Sequence, residues 1–514
     1  MDPLAAALLA ALIFPVALSM VRDRIGSGRD RLAAVLTTAV LLGGAVAALG
    51  ATALTLPGTA RIWDVGTLIG FQAQAVAFGF ALDRVGLVMA ALIGVVGAAT
   101  TAFAGRYLLG DPQRATFLRW FAVTVAAAQV LVLSANLAQL AVAWLVVSVG
   151  LHRLLLHHGQ RPRAVLAARS KFMISRIGDF ALLGAIATLL PAAKTLDLAA
   201  LAGLAGTPQL ASAGPIAAVC LVVAAMCKSA QFPVHVWLPE TLEAPTPVSA
   251  LMHAGIINAG GFLLIRTAGL LSAVPAVLDA LLVIGLVTAA VGVLAMWAQT
   301  DVKKALAWST VGQMGFMFLQ CGLGAFAAAL VHLIGHAGYK AHAFLRSGSI
   351  AGAVAAPPTA EGPLAVAVLR YVAASAAAVA LILVLQRDGQ VHAGGMLLVL
   401  AIGLALGQVW TSGVGSLLGR TAMVVILAVV AVPGLTAVHA WFGLPVAPEP
   451  FARGPAGIIL GGVVGLGLVA LAVLSVALPW VAGRLLALRI HARQGWYIGI
   501  YAERLVRRCW PHTT

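Results

Sequence analysis

Ionisable side chains interrupt an otherwise apolar stretch near the middle of the chain. An ionisable group at membrane depth is costly, so it generally marks a functional site. Lysine and histidine are the side chains best suited to carry a proton there. Burial lowers the pKa of lysine strongly, and histidine titrates near neutral pH. The stretch therefore indicates proton or ion transfer, and its ionisable residues are Lys228, His235, Glu240, Glu243 and His253.

Prolines at positions 233, 239, 245 and 247 fall in the same stretch and deny it a continuous helix. Irregular backbone at membrane depth survives only where protein or a watery cavity satisfies its polar groups. The stretch is therefore predicted to line an ion pathway. Glu240 and Glu243 either neutralise Lys228 or cap a helix that begins near Thr246, and we favour a contribution to the pathway.

A second titratable set lies in the stretch HLIGHAGYKAHAF. His332, His336 and Lys340 are spaced at i, i+4 and i+8, which places them on one face of a helix predicted over about residues 325–345. Three aligned groups favour a proton relay with intervening water over the packing of ordinary core histidines. His342 points to a different face of that helix.

Lysine is used selectively, since only six of the 32 basic residues are lysines. A buried lysine loses its proton far more readily than arginine does, so Lys228 and Lys340 are predicted to load and unload protons. Lys303 and Lys304 follow Asp301 at a predicted helix start. Snorkelling to the membrane interface is an equal alternative for these two.

Composition defines the elements that must position these groups. With 62% hydrophobic residues, 9% charged residues and a mean hydropathy of +1.03, the chain is predicted to be an all-α polytopic membrane protein. A span needs ~20 mostly apolar residues, and about 13 to 15 such stretches lie between Leu4 and Ala482. The first stretch is predicted to be a retained helix rather than a cleaved signal.

The basic residues cluster at the ends of the predicted spans. Their alternation between connections predicts an N-terminus outside and a C-terminus in the cytoplasm. A net charge of +16 is then explained by anionic lipid, and no nucleic-acid partner is predicted. The cysteines have no zinc-like or CxxC spacing, so no disulfide, metal site or iron-sulfur cluster is predicted, and they are Cys220, Cys227, Cys321 and Cys509.

Three motifs carry a family resemblance: KSAQFPVHVWLPETLEAPTPVSALMHA, DVKKALAWSTVGQMGFM and HLIGHAGYKAHAFL. They resemble the antiporter-like proton-channel subunits of respiratory complex I and Mrp cation/proton antiporters over roughly residues 75–350. The resemblance implies two inverted five-helix repeats, each with a broken helix that interrupts a polar axis along the membrane centre. Its motifs also imply a path for protons and water through Lys228, His253, Lys303, His332, His336 and Lys340.

The chain departs from the family pattern in two places. The family usually has a tryptophan and then a glutamate that pairs with the broken-helix lysine, whereas here Trp144 is followed by Leu145. His152 and Asp179 are the candidates to replace that carboxylate. After Ser349 the family's second broken helix is not recognisable, so the second half of the path is not predicted.

These departures favour one branch of the superfamily. The stretches SVGLHRLLLHHGQRPRAVLAARSKFMISRIGD, HAGIINAGGFLLIR and GYKAHAFLRSGS resemble the DabB-type membrane subunit of bacterial DabA/DabB inorganic carbon pumps. The resemblance implies a DabA-type partner with a carbonic-anhydrase-like zinc site, and a transport role without catalysis or a cofactor in this chain. Proton flux, or less favourably Na⁺ flux, would drive CO₂ hydration in the partner, at a bacterial inner membrane.

Two other functions stay open. The same channel serves complex I-like or hydrogenase complexes driven by redox chemistry, and it serves Mrp-type Na⁺/H⁺ antiporters. Four regions are predicted: N-terminal helices at 1–110, the channel core at 111–350, C-terminal helices at 351–483 and a basic amphipathic cytoplasmic tail at 484–514. The tail is predicted to lie on lipid or to dock a partner.

Overall fold

The computed structural model describes most of the chain. The described ranges are 30–55, 61–64, 79–352, 363–385, 455–481 and 486–510, with a few further residues between 399 and 444. The predicted first helix, at Leu4 to Met20, lies outside the described residues.

The described residues form helices joined by short connections. From the N-terminal side they are α1 (Asp30–Leu54), α2 (Arg84–Tyr107), α3 (Arg114–Leu133), α4 (Leu137–Leu155), α5 (Pro162–Ala193), α6 (Leu198–Leu204), α7 (Ala213–Lys228), α8 (Thr246–Leu251), α9 (Asn258–Arg266), α10 (Ala268–Ser272), α11 (Pro275–Ala298), α12 (Val302–Gly322), α13 (Phe326–Arg346), α14 (Leu364–Leu385), α15 (Pro455–Val481), α16 (Leu486–Arg493) and α17 (Ile498–Cys509).

Eight helical segments among the described residues are long and apolar enough to cross a membrane. The predicted all-α membrane fold is confirmed, and the chain is a multi-pass membrane protein. The described part also holds a small antiparallel pair of strands, β1 (Arg61–Asp64) and β2 (Gly79–Leu82). The total number of spans, the inverted repeats and the four regions stay predictions.

Glycines let the central helices approach closely, as small residues commonly do in membrane bundles. A β-carbon on Gly292 of α11 would lie 2.3 Å from the amide nitrogen of Gly312 on α12. On Gly260 of α9 it would lie 2.5 Å from the carbonyl oxygen of Ala225 on α7. These contacts leave no room for side chains, so the backbones that carry the ionisable groups lie against each other.

The helical backbone is interrupted at the proline-rich stretch after Lys228, as the sequence predicts. Helix α7 ends at Lys228, and residues 229–245 continue as turns and two short 3₁₀ segments, Val234–Trp237 and Thr241–Glu243. Helix α8 then begins at Thr246 and passes through a π-helical turn, Met252–Ile256, into α9. The predicted helix start near Thr246 is confirmed.

Helices α16 and α17 pack across one end of the bundle, which we call the tail-side end. Arg493 donates to the hydroxyl of Thr300 at 3.2 Å, and Arg169 donates to the carbonyl oxygen of Trp510 at 3.1 Å. Gly495 packs against the ring of Trp308. One face of the C-terminal segment therefore packs on the channel core, and the prediction that its exposed residues lie on lipid or dock a partner stays a prediction.

Candidate ion pathway

Lys228 lies at the broken end of α7 and is 6% exposed. Its Nζ donates to the hydroxyl of Ser148 at 3.0 Å and to the carbonyl oxygen of Trp144 at 3.3 Å, both on α4. The ammonium also lies 4.3 Å from the centre of the Trp144 ring, within the range of a cation–π interaction. Two hydrogen bonds and one cation–π contact therefore hold the buried Lys228 ammonium against α4.

The carboxylate near Lys228 comes from α5. Asp179 is 6% exposed and lies close enough to Lys228 to interact with it electrostatically. It also forms an ion pair with Arg176 at 2.6 Å. Asp179 therefore supplies the negative charge that Leu145 lacks, although it shares that charge with an arginine.

His152, the other candidate replacement, is half-buried on α4. Its Nδ1 lies 3.2 Å from the carbonyl oxygen of Ala168, and its ring packs on Phe172. Lys171, which the sequence places among the basic residues near a loop, is instead buried in α5 at 3% exposure. Position alone suggested a residue at the membrane surface, but α5 begins nine residues earlier, at Pro162, and carries Lys171 inward.

The second group of titratable residues collects around Lys340, which is fully buried. Its Nζ donates to the carbonyl oxygen of Leu306 at 3.1 Å and to the hydroxyl of Ser309, both on α12. His336 on the same face is 3% exposed, and neither of its ring nitrogens has a hydrogen-bond partner in the described part of the chain.

His253 joins this group from the π-helical turn. Its Nδ1 lies 3.1 Å from the hydroxyl of Thr310, and its ring stacks on Phe344 at 4.3 Å. His253 and His336 both lie within electrostatic reach of Lys340. His332 extends the stripe, with Nδ1 2.9 Å from the amide oxygen of Gln320.

A cavity of about 570 Å³ borders this second group. Its lining includes Ser309, Gln313, His332, His336 and Tyr339, together with apolar side chains. At about 30 Å³ per molecule it is large enough for many waters. The predicted helix over residues 325–345 and its stripe of His332, His336 and Lys340 are confirmed in α13.

The remaining predicted residues lie at the tail-side end. Lys303 donates to the hydroxyl of Thr246 at 3.0 Å, and Asp301 caps α12 by accepting from the amide of Lys304 at 2.8 Å. Glu243 pairs with Arg161 at 2.8 Å rather than with Lys228.

Glu240 and His235 also lie there. Glu240 is exposed. His235 is fully buried between the rings of Phe232 and Trp308, and neither of its ring nitrogens has a partner among the described residues. The structure therefore gathers the two lysine groups and leaves these residues at their tail-side margin.

At the opposite end of the bundle a cavity of about 290 Å³ has a mostly apolar lining that includes Asp83, Arg84, Asp197 and Arg266. Arg266, the last residue of α9, pairs with Asp83, and Arg84 donates to the carbonyl oxygen of Trp441 at 2.6 Å. Polar groups therefore reach both ends of the described bundle, as an ion pathway requires.

Comparison with known proteins shows which family this bundle resembles. Residues 134–359, less than half of the chain, match the family model described as the transmembrane region of NADH:quinone oxidoreductase and Mrp antiporters. The matched part is therefore similar to that family, as the motifs predict. Both lysine groups lie within the matched residues.

Three individual relatives show which members of the superfamily this chain is similar to. The chain is 43% identical over 275 residues to the probable inorganic carbon transporter subunit DabB2 of Halothiobacillus neapolitanus, covering 53% of this chain and 50% of the relative. It is 40% identical over 270 residues to the probable inorganic carbon transporter subunit DabB of Hydrogenovibrio crunogenus, covering 52% of each. It is also 38% identical over 281 residues to the chloroplastic NAD(P)H-quinone oxidoreductase subunit 5 of Adiantum capillus-veneris, covering 54% of this chain and 38% of the relative.

These alignments span about half the length of the DabB relatives. Among solved structures, the Mrp complex from Dietzia sp. superposes with a TM-score of 0.60 at 24% identity, covering 99% of this chain and 56% of that one. The archaeal membrane-bound sulfane sulfur reductase superposes with a TM-score of 0.57 at 19% identity, covering 91% and 74%. These two similarities establish the fold.

Proposed function

We propose that this chain is the proton-conducting membrane subunit of an energy-coupled inorganic carbon pump. The observation that carries the proposal is the 43% identity to a probable inorganic carbon transporter subunit. Leu145 adds support, because the family's usual glutamate is replaced and Asp179 lies near Lys228 instead. The coupling would use a DabA-type partner with a zinc site, in which CO₂ is hydrated.

Protons are the favoured coupling ion, and Na⁺ is the alternative. Sodium prefers several oxygen ligands, whereas lysine and histidine dominate both groups along the pathway. A cation that crosses ~100 mV releases about 2.3 kcal/mol. One proton per cycle would therefore bias a hydration equilibrium several tens-fold, since about 1.4 kcal/mol corresponds to a factor of ten.

The residues of this chain would move the proton at stated atoms. Lys228 Nζ and Lys340 Nζ would hold it, while His253, His332 and His336 would pass it along the second half with water from the cavity. Release at the partner would change protonation there, which makes hydration effectively one-way. The tail-side end is proposed to face the cytoplasm of a bacterial inner membrane.

A redox-linked role is the second candidate, and the 38% identity to an NAD(P)H-quinone oxidoreductase subunit favours it. In that role the same lysines would carry protons driven by electron transfer in other subunits. An Mrp-type Na⁺/H⁺ antiporter role would instead protect cells against salt. The two alternatives share the pathway and differ only in what drives it.

Uptake of ¹⁴C-labelled inorganic carbon tests the proposal in cells that lack carbonic anhydrase. The chain is expressed with and without a DabA-type partner, and with and without a protonophore. Uptake that needs both proteins and collapses with the protonophore is the expected result. If the assembled pair gives no uptake, the carbon assignment falls, and NADH-dependent proton pumping and salt-tolerance assays then separate the two alternatives.

A further inference from the structure

Lys171 is a buried lysine that the pathway described above does not use. It is 3% exposed, and its Nζ donates to the carbonyl oxygen of Ser148 at 2.7 Å. Placing an amine at membrane depth is costly, so such groups are generally functional.

Ser148 connects Lys171 to Lys228. Lys171 binds its carbonyl oxygen at 2.7 Å, and Lys228 donates to its hydroxyl at 3.0 Å. The two amines also lie within electrostatic reach of each other. Lysines 57 positions apart in the sequence therefore meet at one residue of α4.

The charges that face this pair do not balance two ammonium groups. Asp179 is the carboxylate within reach of both lysines, and Arg176 pairs with it at 2.6 Å. Arginine keeps its proton under all physiological conditions. Two protonated lysines would thus leave buried charge without a counter-charge, which costs several kcal/mol per ion. The arrangement suits a pair that holds one proton between two amines.

Lys171 lies on the tail side of the site. At 1.5 Å per residue it is roughly 13 Å along α5 from Pro162, and Asp179 is roughly 12 Å further on. The neighbouring Phe172 contacts Trp510 of the C-terminal segment, and the His152 ring packs on Phe172. His152 is also within electrostatic reach of Lys171. One titratable group, His152, therefore lies on the tail side of Lys171, and Ser148 joins Lys171 to Lys228.

We propose that Lys171 is the proton-loading partner of Lys228, an inference that rests on the proposed proton-conducting function. Protonated Lys171 gives its proton to the neutral amine of Lys228, which leaves a neutral Lys171 and a protonated Lys228. The net charge of the pair is unchanged. The hydroxyl of Ser148 is placed to take part in this transfer, and a proton from the tail-side end, with His152 nearest, then reloads Lys171.

The test measures proton flux in proteoliposomes that contain the full chain with its partner. An entrapped pH-sensitive dye reports the flux under an imposed membrane potential. The variants are Lys171→Met, Lys171→Arg, Lys228→Met and the double variant with both methionines. Lys194→Asn is the matched control, because Lys194 is exposed at a left-handed position that asparagine tolerates.

Lys171→Met is expected to lower flux about 100-fold, the size typical of losing a proton-transfer group. Lys171→Arg should fail equally, because it keeps the charge but does not release a proton. The double variant should be no worse than either single methionine variant, since both lysines act in one transfer. Ser148→Ala should lower flux about fivefold while Lys171 keeps its carbonyl contact, and Lys194→Asn should leave it unchanged.

Two results would overturn the inference while leaving the proposed function intact: flux within twofold of wild type in Lys171→Met, or recovery in Lys171→Arg. The second would assign Lys171 a charge-balancing role. If Lys171→Met does not assemble, Lys171→Arg and Ser148→Ala decide in its place. A wild-type complex without any proton flux would remove the proposed function itself.

Discussion

Lys228 and Lys340 are anchored alike and surrounded differently. Each donates to a backbone carbonyl oxygen and to a serine hydroxyl on a neighbouring helix, through Trp144 and Ser148 in one case and Leu306 and Ser309 in the other. The Lys228 group adds a carboxylate, an arginine and a second lysine. Among the described residues, no carboxylate interacts electrostatically with Lys340.

This difference separates two ways of handling a buried proton. At Lys228, the charged groups of Asp179 and Arg176 lie within electrostatic reach of the buried amine, so its protonation is expected to depend on their charges. At Lys340 the neighbours are imidazoles and hydroxyls beside a cavity of about 570 Å³, so under the proposed function its proton would pass to neutral groups and water. The first group would then hold a proton among fixed charges, and the second would pass it on.

Removing either lysine should have the largest effect. Lys228→Ala and Lys340→Ala are each expected to abolish transport, with losses of roughly 100-fold or more because a proton-transfer group is gone. Carbon uptake by the assembled complex measures this, beside Lys194→Asn as control. Loss of the protein from the membrane in both alanine variants would mark the lysines as structural.

Asp179→Asn should reduce proton flux about tenfold by taking away the counter-charge of Lys228, a loss equivalent to about 1.4 kcal/mol. Adding Leu145→Glu to that variant should recover part of the flux, because it returns a carboxylate beside Trp144. Leu145→Glu in the presence of Asp179 serves as the control. If Asp179→Asn conducts normally, the ion-paired character of the first group is wrong.

His336→Gln should lower flux about fivefold, since it removes an imidazole that lies beside Lys340 and lines the cavity of about 570 Å³. His235→Phe is the matched control, because His235 is equally buried but lies between aromatic rings that phenylalanine can replace. It should stay within twofold of wild type. Equal losses of proton flux in both variants would contradict the proposed difference between relay histidines and packing histidines.

The packing of the C-terminal segment, α16 and α17, on the bundle should matter mainly for stability. Gly495 has φ near +57°, and a β-carbon there would lie 2.9 Å from the Trp308 ring, so Gly495→Ala should cost about 1–2 kcal/mol of the free energy of unfolding. Thermal unfolding in detergent measures this. Gly338→Ala, in the open part of α13, is the control and should not destabilise. An unchanged midpoint for Gly495→Ala would show that the segment is not held against Trp308.

The smallest effect is expected at a partly buried pair on the tail-side end, where Asp111 lies 2.8 Å from His157. Burial raises the pKa of Asp111, but hydrogen bonds from His157 and the amide of Gln113 outweigh it and hold the pKa below 3.8. Because the pKa of this carboxyl is lower in the folded state than its usual value of 3.8, ionised Asp111 stabilises the fold at pH values above 3.8. That stabilisation is lost as pH falls through the folded-state pKa. Asp111→Asn should therefore cost up to about 1 kcal/mol at pH 7 and nothing in strong acid. A pH-independent difference in unfolding midpoint would contradict this.

Local spacing predicted the parts of the site that depend on one helix. The i, i+4, i+8 pattern placed His332, His336 and Lys340 on one stripe, and the prolines after Lys228 ended α7, because helix geometry and the missing proline donor act over a few residues. The family motifs assigned His253 to the same pathway, and the π-helical turn carries it to Thr310 and Lys340.

Contacts between helices decided the parts of the site that local spacing did not predict. The sequence grouped Lys171 with the basic residues near a loop, and it predicted that Glu243 either neutralises Lys228 or caps the helix that begins near Thr246. The partners in the structure differ because sequence distance says little about which helices are neighbours. Lys228 reaches Ser148 across 80 positions, and Arg161 takes Glu243 across 82.

The sequence by itself determined that this is a polytopic membrane protein with buried lysines and histidines, and its motifs resemble the antiporter-like superfamily. Hydropathy, proline positions and motif order can be read from the sequence without knowing which helices are neighbours. Only the tertiary structure decided that Asp179 and Lys171 lie within electrostatic reach of Lys228, that a cavity borders His336, and that one face of the basic tail packs on the core. These depend on close glycine-mediated packing, which brings distant residues within hydrogen-bond distance and leaves no mark in local spacing.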